Sequence, residues 1–65
     1  MPYSSNKDLP ASVRHVLPQA AQTIFRKAFN NAHEKYKDEV IAFKVAWAAV
    51  KRKYEKSGDK WVKVR

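Results

Sequence analysis

Apolar residues at Ala21, Ile24, Phe25, Ala28, Phe29, Ala32 and Tyr36 recur in steps of three and four. That spacing lays a single stripe along a helix of about 3.6 residues per turn. Gln22, Arg26, Lys27, Asn30, Glu34 and Lys35 fall on the other face, which predicts a long amphipathic helix from near Pro18 to Tyr36. Pro18 suits its first turn, where a missing N–H leaves no bond unmade. Just ahead, Val13, Val16 and Leu17 lie at helical spacing between Pro10 and Pro18 and predict a short helix over about 10–17. Lys37, Asp38 and Glu39 form a polar break. Asp38 can cap the next helix by accepting a backbone N–H, and Glu39 suits the positive end of its dipole. Beyond the break, Val40, Phe43, Ala46, Trp47, Val50 and Tyr54 form a second stripe, widened by Ala42, Val45 and Ala49. A third helix is predicted from Glu39 to Tyr54 or Lys56, buried on more than one side. Ser57, Gly58 and Asp59 end it, with Gly58 as a left-handed C-cap. Trp61, Val62 and Val64 then alternate with Lys60, Lys63 and Arg65, the signature of a short strand. A lone strand is not stable, and the one extended segment left without an element is the N-terminus around Pro2 to Ser4.

Size limits what this pattern can build. A chain of 65 residues makes one domain, over 1–65, and buries about 60% of the surface its unfolded form exposes. Eight aromatic residues make a modest core possible. No cysteine is present, which excludes disulfides and thiolate metal sites. No apolar run approaches the roughly 20 residues that cross a bilayer, and the opening MPYSSNKDLP does not resemble a signal peptide. A soluble intracellular protein is expected, cytoplasmic in a prokaryote or nuclear if viral in a eukaryotic host.

Charge changes the picture more. The formal net charge is +8, from 14 basic and 6 acidic residues. Residues 1–43 carry 6 basic and 4 acidic side chains, whereas residues 44–65 carry 8 basic and only 2 acidic. Such a concentrated field attracts polyanions. Part of it has a structural cause, because cations in a last turn complement the helix C-terminus. The remainder points to a phosphate-binding surface at Lys51, Arg52, Lys53 and Lys56, continued by Lys60, Lys63 and Arg65 and extended by Arg26 and Lys27 if the second helix presents them there. Affinity would come from counterion release, without base specificity. Tyr54 and Trp61 fit the apolar pattern and are assigned to the core in preference to base stacking. Lys44 is flanked by Phe43 and Val45 and is expected to reach the surface along its aliphatic stem.

No catalytic constellation is found. His15 and His33 lie on different helices and outside any metal-ligand spacing. His15 is a candidate member of the basic patch, and His33 a packing residue. Glu34, Asp38 and Glu39 are explained by capping and charge pairing, and one glycine cannot make a phosphate loop. The expectation is a non-enzyme without cofactor or metal.

The segments MPY at 1–3, LP at 9–10, Val13, LP at 17–18, AQ at 21–22, AFN at 28–30, KVAWAAVK at 44–51, Tyr54 and KW at 60–61 together resemble the ChaB family of bacteria, archaea and insect baculoviruses. The resemblance spans nearly the whole chain. It implies a mainly α fold, three helices with a small sheet formed by the N- and C-terminal segments, with Tyr3 pairing near Trp61. It also implies two rival functions. The family name comes from a role in regulating cation transport, while viral members are described as DNA-binding. Some bacterial members carry a long acidic loop between the two main helices, where this chain has only Lys37, Asp38 and Glu39. The sequence reading is therefore a non-catalytic binder of DNA, double-stranded sooner than single-stranded, with low sequence specificity. The alternative is a regulatory module that docks on an acidic protein, such as a cation antiporter at its cytoplasmic face. Membrane insertion is not expected, because the large apolar residues are needed for the core. A monomer or a weak homodimer is expected.

Overall fold

A computed structural model describes residues 3–64. Two helices dominate it: α2 (Gln19–Tyr36) and α3 (Glu39–Lys51). A 3-10 turn (Asn6–Asp8) and the short helix α1 (Ala11–Arg14) precede them. A hairpin of β1 (Tyr54–Ser57) and β2 (Lys60–Lys63) follows. The class is the expected one, three helices and a small sheet.

The long helix starts and stops where its sequence says. Pro18 is the N-cap residue, and its carbonyl accepts from the Gln22 N–H at 2.9 Å. At the other end Lys37 takes the left-handed conformation (φ 57°), and its N–H closes the helix onto the His33 carbonyl at 2.8 Å. A side chain in that region costs about 1–2 kcal/mol, which is why glycine usually holds it. Asp38 then caps α3. Its Oδ1 accepts from the N–H groups of Val40 (2.8 Å) and Ile41 (3.2 Å). Two residues thus reverse the chain, and α2 and α3 pack antiparallel.

Their shared face holds Ala21, Phe25, Phe29 and Ala32 against Ala42, Ala46 and Val50, with Leu9, Val13 and Leu17 closing one end. The alanines let the helix axes approach, and the rings fill one side of the seam. Phe25 meets Phe43 and Trp47 edge-on at 5.4 and 5.2 Å between centroids. Phe29 meets Phe43 at 5.7 Å and the Tyr3 ring at 4.9 Å. Trp61 lies on Trp47 at 5.3 Å. Edge-to-face pairs of this kind contribute about 0.5–1.5 kcal/mol each beyond burial. His33 stacks on Phe29 at 5.9 Å, the packing role expected of it.

Several details differ from the sequence reading. The third helix stops at Lys51, and Tyr54 begins a strand. Gly58 (φ 67°) belongs to the two-residue turn of the hairpin, in the first central position where a type II′ turn requires it. Both strands come from the C-terminal segment, so Tyr3 does not pair near Trp61. Instead the Asn30 amide takes a strand's place beside Tyr3. Its Oδ1 accepts from the Tyr3 N–H at 2.9 Å, and its Nδ2 donates to the Tyr3 carbonyl at 2.8 Å. Gln22, placed on the polar face by its chemistry, is buried. Its amide donates to the Leu17 carbonyl at 2.8 Å and the Arg14 carbonyl at 3.3 Å, closing the chain after α1.

Candidate functional site

The cations at the end of α3 are placed by a change of backbone state. The Arg52 N–H reaches back to the Ala49 and Val50 carbonyls, and the Lys53 N–H to the Val50 carbonyl at 3.0 Å. The helix tightens and turns there. Tyr54, only 5% exposed, drops into the core and pulls the following strand across the helix ends. The Val64 N–H donates to the Lys53 carbonyl at 2.9 Å, and the Trp61 N–H to the Val16 carbonyl at 3.0 Å. These bonds fasten the hairpin at both sides of its outgoing strand.

The register divides the basic residues. Tyr54 opposes Lys63, Glu55 opposes Val62, Lys56 opposes Trp61 and Ser57 opposes Lys60. Directly opposed residues share a face and successive ones alternate. Tyr54, Lys56, Trp61 and Lys63 therefore share the face turned to the helices, while Glu55, Ser57, Lys60 and Val62 share the outer one.

Arg52, Lys53 and Lys63 converge. They rim a cleft of about 670 Å³ between the start of α2 and the hairpin, lined otherwise by Ala20, Thr23, Ile24, Tyr54 and Val64. Lys51 and Lys56 are exposed outside it. Lys60 lines a separate recess with His15, Val16, Leu17, Pro18 and Trp61. Lys27 is exposed, one turn along α2 from Thr23 and Ile24. Arg26 turns the other way. Its Nε–H donates to the Asn6 side-chain oxygen at 2.8 Å, so it ties the N-terminal segment to α2 and does not extend the patch. Arg65 lies outside the described residues. Tyr54 is buried and Trp61 half-buried on Trp47, as the apolar pattern implied.

None of the chain's acidic residues lines the cleft. Asp38 is used in its cap, and Asp8 accepts from the Ser4 and Ser5 hydroxyls at 3.0 and 3.4 Å. Cations above an apolar floor act through a lower local dielectric than cations on an open surface, so an anion is attracted more strongly there. The Thr23 hydroxyl is already occupied, donating to the Gln19 carbonyl at 3.2 Å and accepting from the Asn6 amide at 3.1 Å. What the cleft offers is anion attraction combined with apolar contact. Among the described residues no cluster of three or more His, Asp or Glu side chains forms a metal site. Nor, among them, is any helix long and apolar enough to cross a membrane. Sequence reasoning did not find Ile24, Thr23 or Val64 as cleft residues, because only the turn at Arg52–Lys53 brings them together.

The sequence profile of the ChaB family matches residues 9–64. The chain belongs to the ChaB family. A relative from Escherichia coli (strain K12), named "Putative cation transport regulator ChaB", is 51% identical, with 97% of each chain covered. Their alignment runs over 74 positions, more than the 65 residues present here, so that relative has extra residues within the aligned region. A more distant relative from Lymantria dispar multicapsid nuclear polyhedrosis virus, an "Uncharacterized 10.9 kDa protein", is 36% identical over 95% of this chain and 64% of its own length. The fold matches an NMR solution structure of a ChaB protein with a TM-score of 0.89 at 49% identity, covering 98% of this chain and all of the other.

Proposed function

We propose that this ChaB protein is a regulatory protein-binding module that docks on an acidic segment of a cation transport protein. The observation that carries the reading is the convergence of Arg52, Lys53 and Lys63 around an apolar-floored cleft. A DNA backbone would satisfy the cations but would leave the half-buried Ile24 and the exposed Val64 without a partner. An acidic protein segment offers carboxylates and aliphatic carbon together. The relatives named as cation transport regulators support the same direction.

DNA binding is the second reading, favoured by the exposed Lys51, Lys56 and Lys60 outside the cleft. One titration separates the two. Labelled polyglutamate and labelled 20-base-pair DNA are each titrated with the wild type and with two triple variants, Arg52→Gln/Lys53→Gln/Lys63→Gln and Lys7→Gln/Lys37→Gln/Lys44→Gln. A docking module loses polyglutamate affinity at least tenfold in the first variant and less than twofold in the second. A DNA binder prefers the duplex, with log K falling against log salt at about −0.9 per phosphate contacted. In that case Lys51, Lys56 and Lys60 become the surface to mutate.

A further inference from the structure

The cleft is one end of a longer feature. On one side of the α2–α3 seam the Tyr3 ring lies on Phe29, which packs edge-on against Phe43, and Trp61 lies on Trp47. Among the described residues the opposite side has no such aromatic cover. There α2 contributes Ile24, Ala28 and Tyr36, and α3 contributes Val45. Ile24 and Ala28 are one turn apart on α2, so the cleft at Ile24 lies next to a second groove lined by Ala28, Ala32, Tyr36 and Val45. Val45, Ile41 and Tyr36 stay 39%, 40% and 49% exposed, which is a large apolar surface for so charged a chain.

From Ala20 to Ala32 the groove follows three turns of α2, about 18 Å at about 1.5 Å per residue. Cations stand at both ends of it: Lys35 on α2 at one, and Arg52, Lys53 and Lys63 at the other, where the hairpin closes it; Lys27 is exposed on α2 between them. No acidic side chain lines either part. Apolar at the base and cationic at both ends, the groove has a charge and polarity complementary to a helix with an apolar stripe and acidic residues beside it.

The geometry points to the α2–α3 groove as the binding site for an acidic amphipathic helix of a partner protein. This rests on the docking reading above and sharpens it. The partner segment would lay apolar residues at i, i+4 and i+7 along Ile24, Ala28 and Val45. Its carboxylates would meet Lys27 and Lys35 on one side and Arg52 on the other, and the hairpin would stop it at one end and fix its register.

The test uses the full chain, isotope-labelled for amide NMR, and three probes. The first is a peptide of about 14 residues with leucine at i, i+4, i+7 and i+11 and mostly glutamate elsewhere. The second is a scrambled peptide of the same composition, and the third is polyglutamate. The expected result is that the first peptide shifts Ile24, Ala28, Val45 and Ala49. Val45→Glu should weaken it at least tenfold, while Val40→Glu, on the far side of the same helix, should change affinity less than twofold. Equal binding of the scrambled peptide with shifts confined to the hairpin overturns the groove and leaves the acidic-partner reading intact, as does first-peptide binding that is unaffected by Val45→Glu. Absence of shifts with all three probes overturns both. Concentration-dependent shifts of the same residues without peptide would assign the groove to a second copy of this chain and also overturn the proposal.

Discussion

The two ends of the chain cover the same helix pair by opposite means. The N-terminal segment, besides the Tyr3 ring on Phe29, is held by polar side chains. Asn30 pairs with the Tyr3 backbone, Asn6 bonds Gln19 and Thr23, and Arg26 bonds Asn6. The C-terminal hairpin is held by aromatic rings and backbone bonds: Tyr54 in the core, Trp61 on Trp47, and the Trp61 and Val64 N–H groups donating to the Val16 and Lys53 carbonyls. The first arrangement uses up its polar groups in holding the fold. The second leaves all the cations of the hairpin and its preceding turn exposed. The same residue type therefore means different things in the two regions, and an arginine is informative about function only once its hydrogen bonds are known.

The comparison breaks first at Trp61. Trp61→Ala removes the ring that fastens the hairpin and is expected to lower unfolding free energy by about 2–3 kcal/mol, read by chemical denaturation. Polyglutamate affinity should fall with it, because Lys63 loses its placement. If stability is unchanged, the rings do not anchor the C-terminal end. Next comes Asn30→Ala, which takes both bonds from the Tyr3 backbone. It should cost about 1 kcal/mol, since those groups can turn to water, and should leave polyglutamate affinity unaltered. A matching loss of affinity would mean that the two ends are coupled.

The smallest effect is in pH. Burial of the Tyr3 ring, helped by the Glu39 carboxylate, raises its phenol above the usual 10.0. The folded state thus holds this proton more tightly than the unfolded one. Its contribution to stability is complete below pH about 10 and is lost as pH rises through the raised value. Thermal melts of the wild type should decline above pH 10 more steeply than those of Tyr3→Phe. Parallel curves would remove Tyr3 from the N-terminal clasp.

Much of this was legible in the chain. The α2 stripe, the Asp38 cap and the burial of Tyr54 all follow from spacing and local chemistry. The end of α3 did not, for a definite reason. Tyr54 sits four residues after Val50, so a helix continuing to Tyr54 and a strand beginning there bury the same side chain. No Gly or Pro at 51–53 marks the change. Gln22 was misplaced because its buried amide answers carbonyls of α1 and Leu17 that only the tertiary fold brings near. The candidate site was legible in composition but not in grouping. Arg26 and Lys53 look alike in sequence, and the hydrogen bond that Arg26 donates to Asn6 separates them.

The reversal at Lys37 and Asp38 has a consequence for how the family can vary. Each helix is terminated there by its own device, the left-handed residue for one and the carboxylate for the other. Neither end relies on the brevity of the link. Chain can be spliced between them at a cost that grows only logarithmically with length, about 0.6 kcal/mol per doubling. The turn is thus a place where chain can lengthen at small cost while the helix pair, its clasp and its hairpin keep their register.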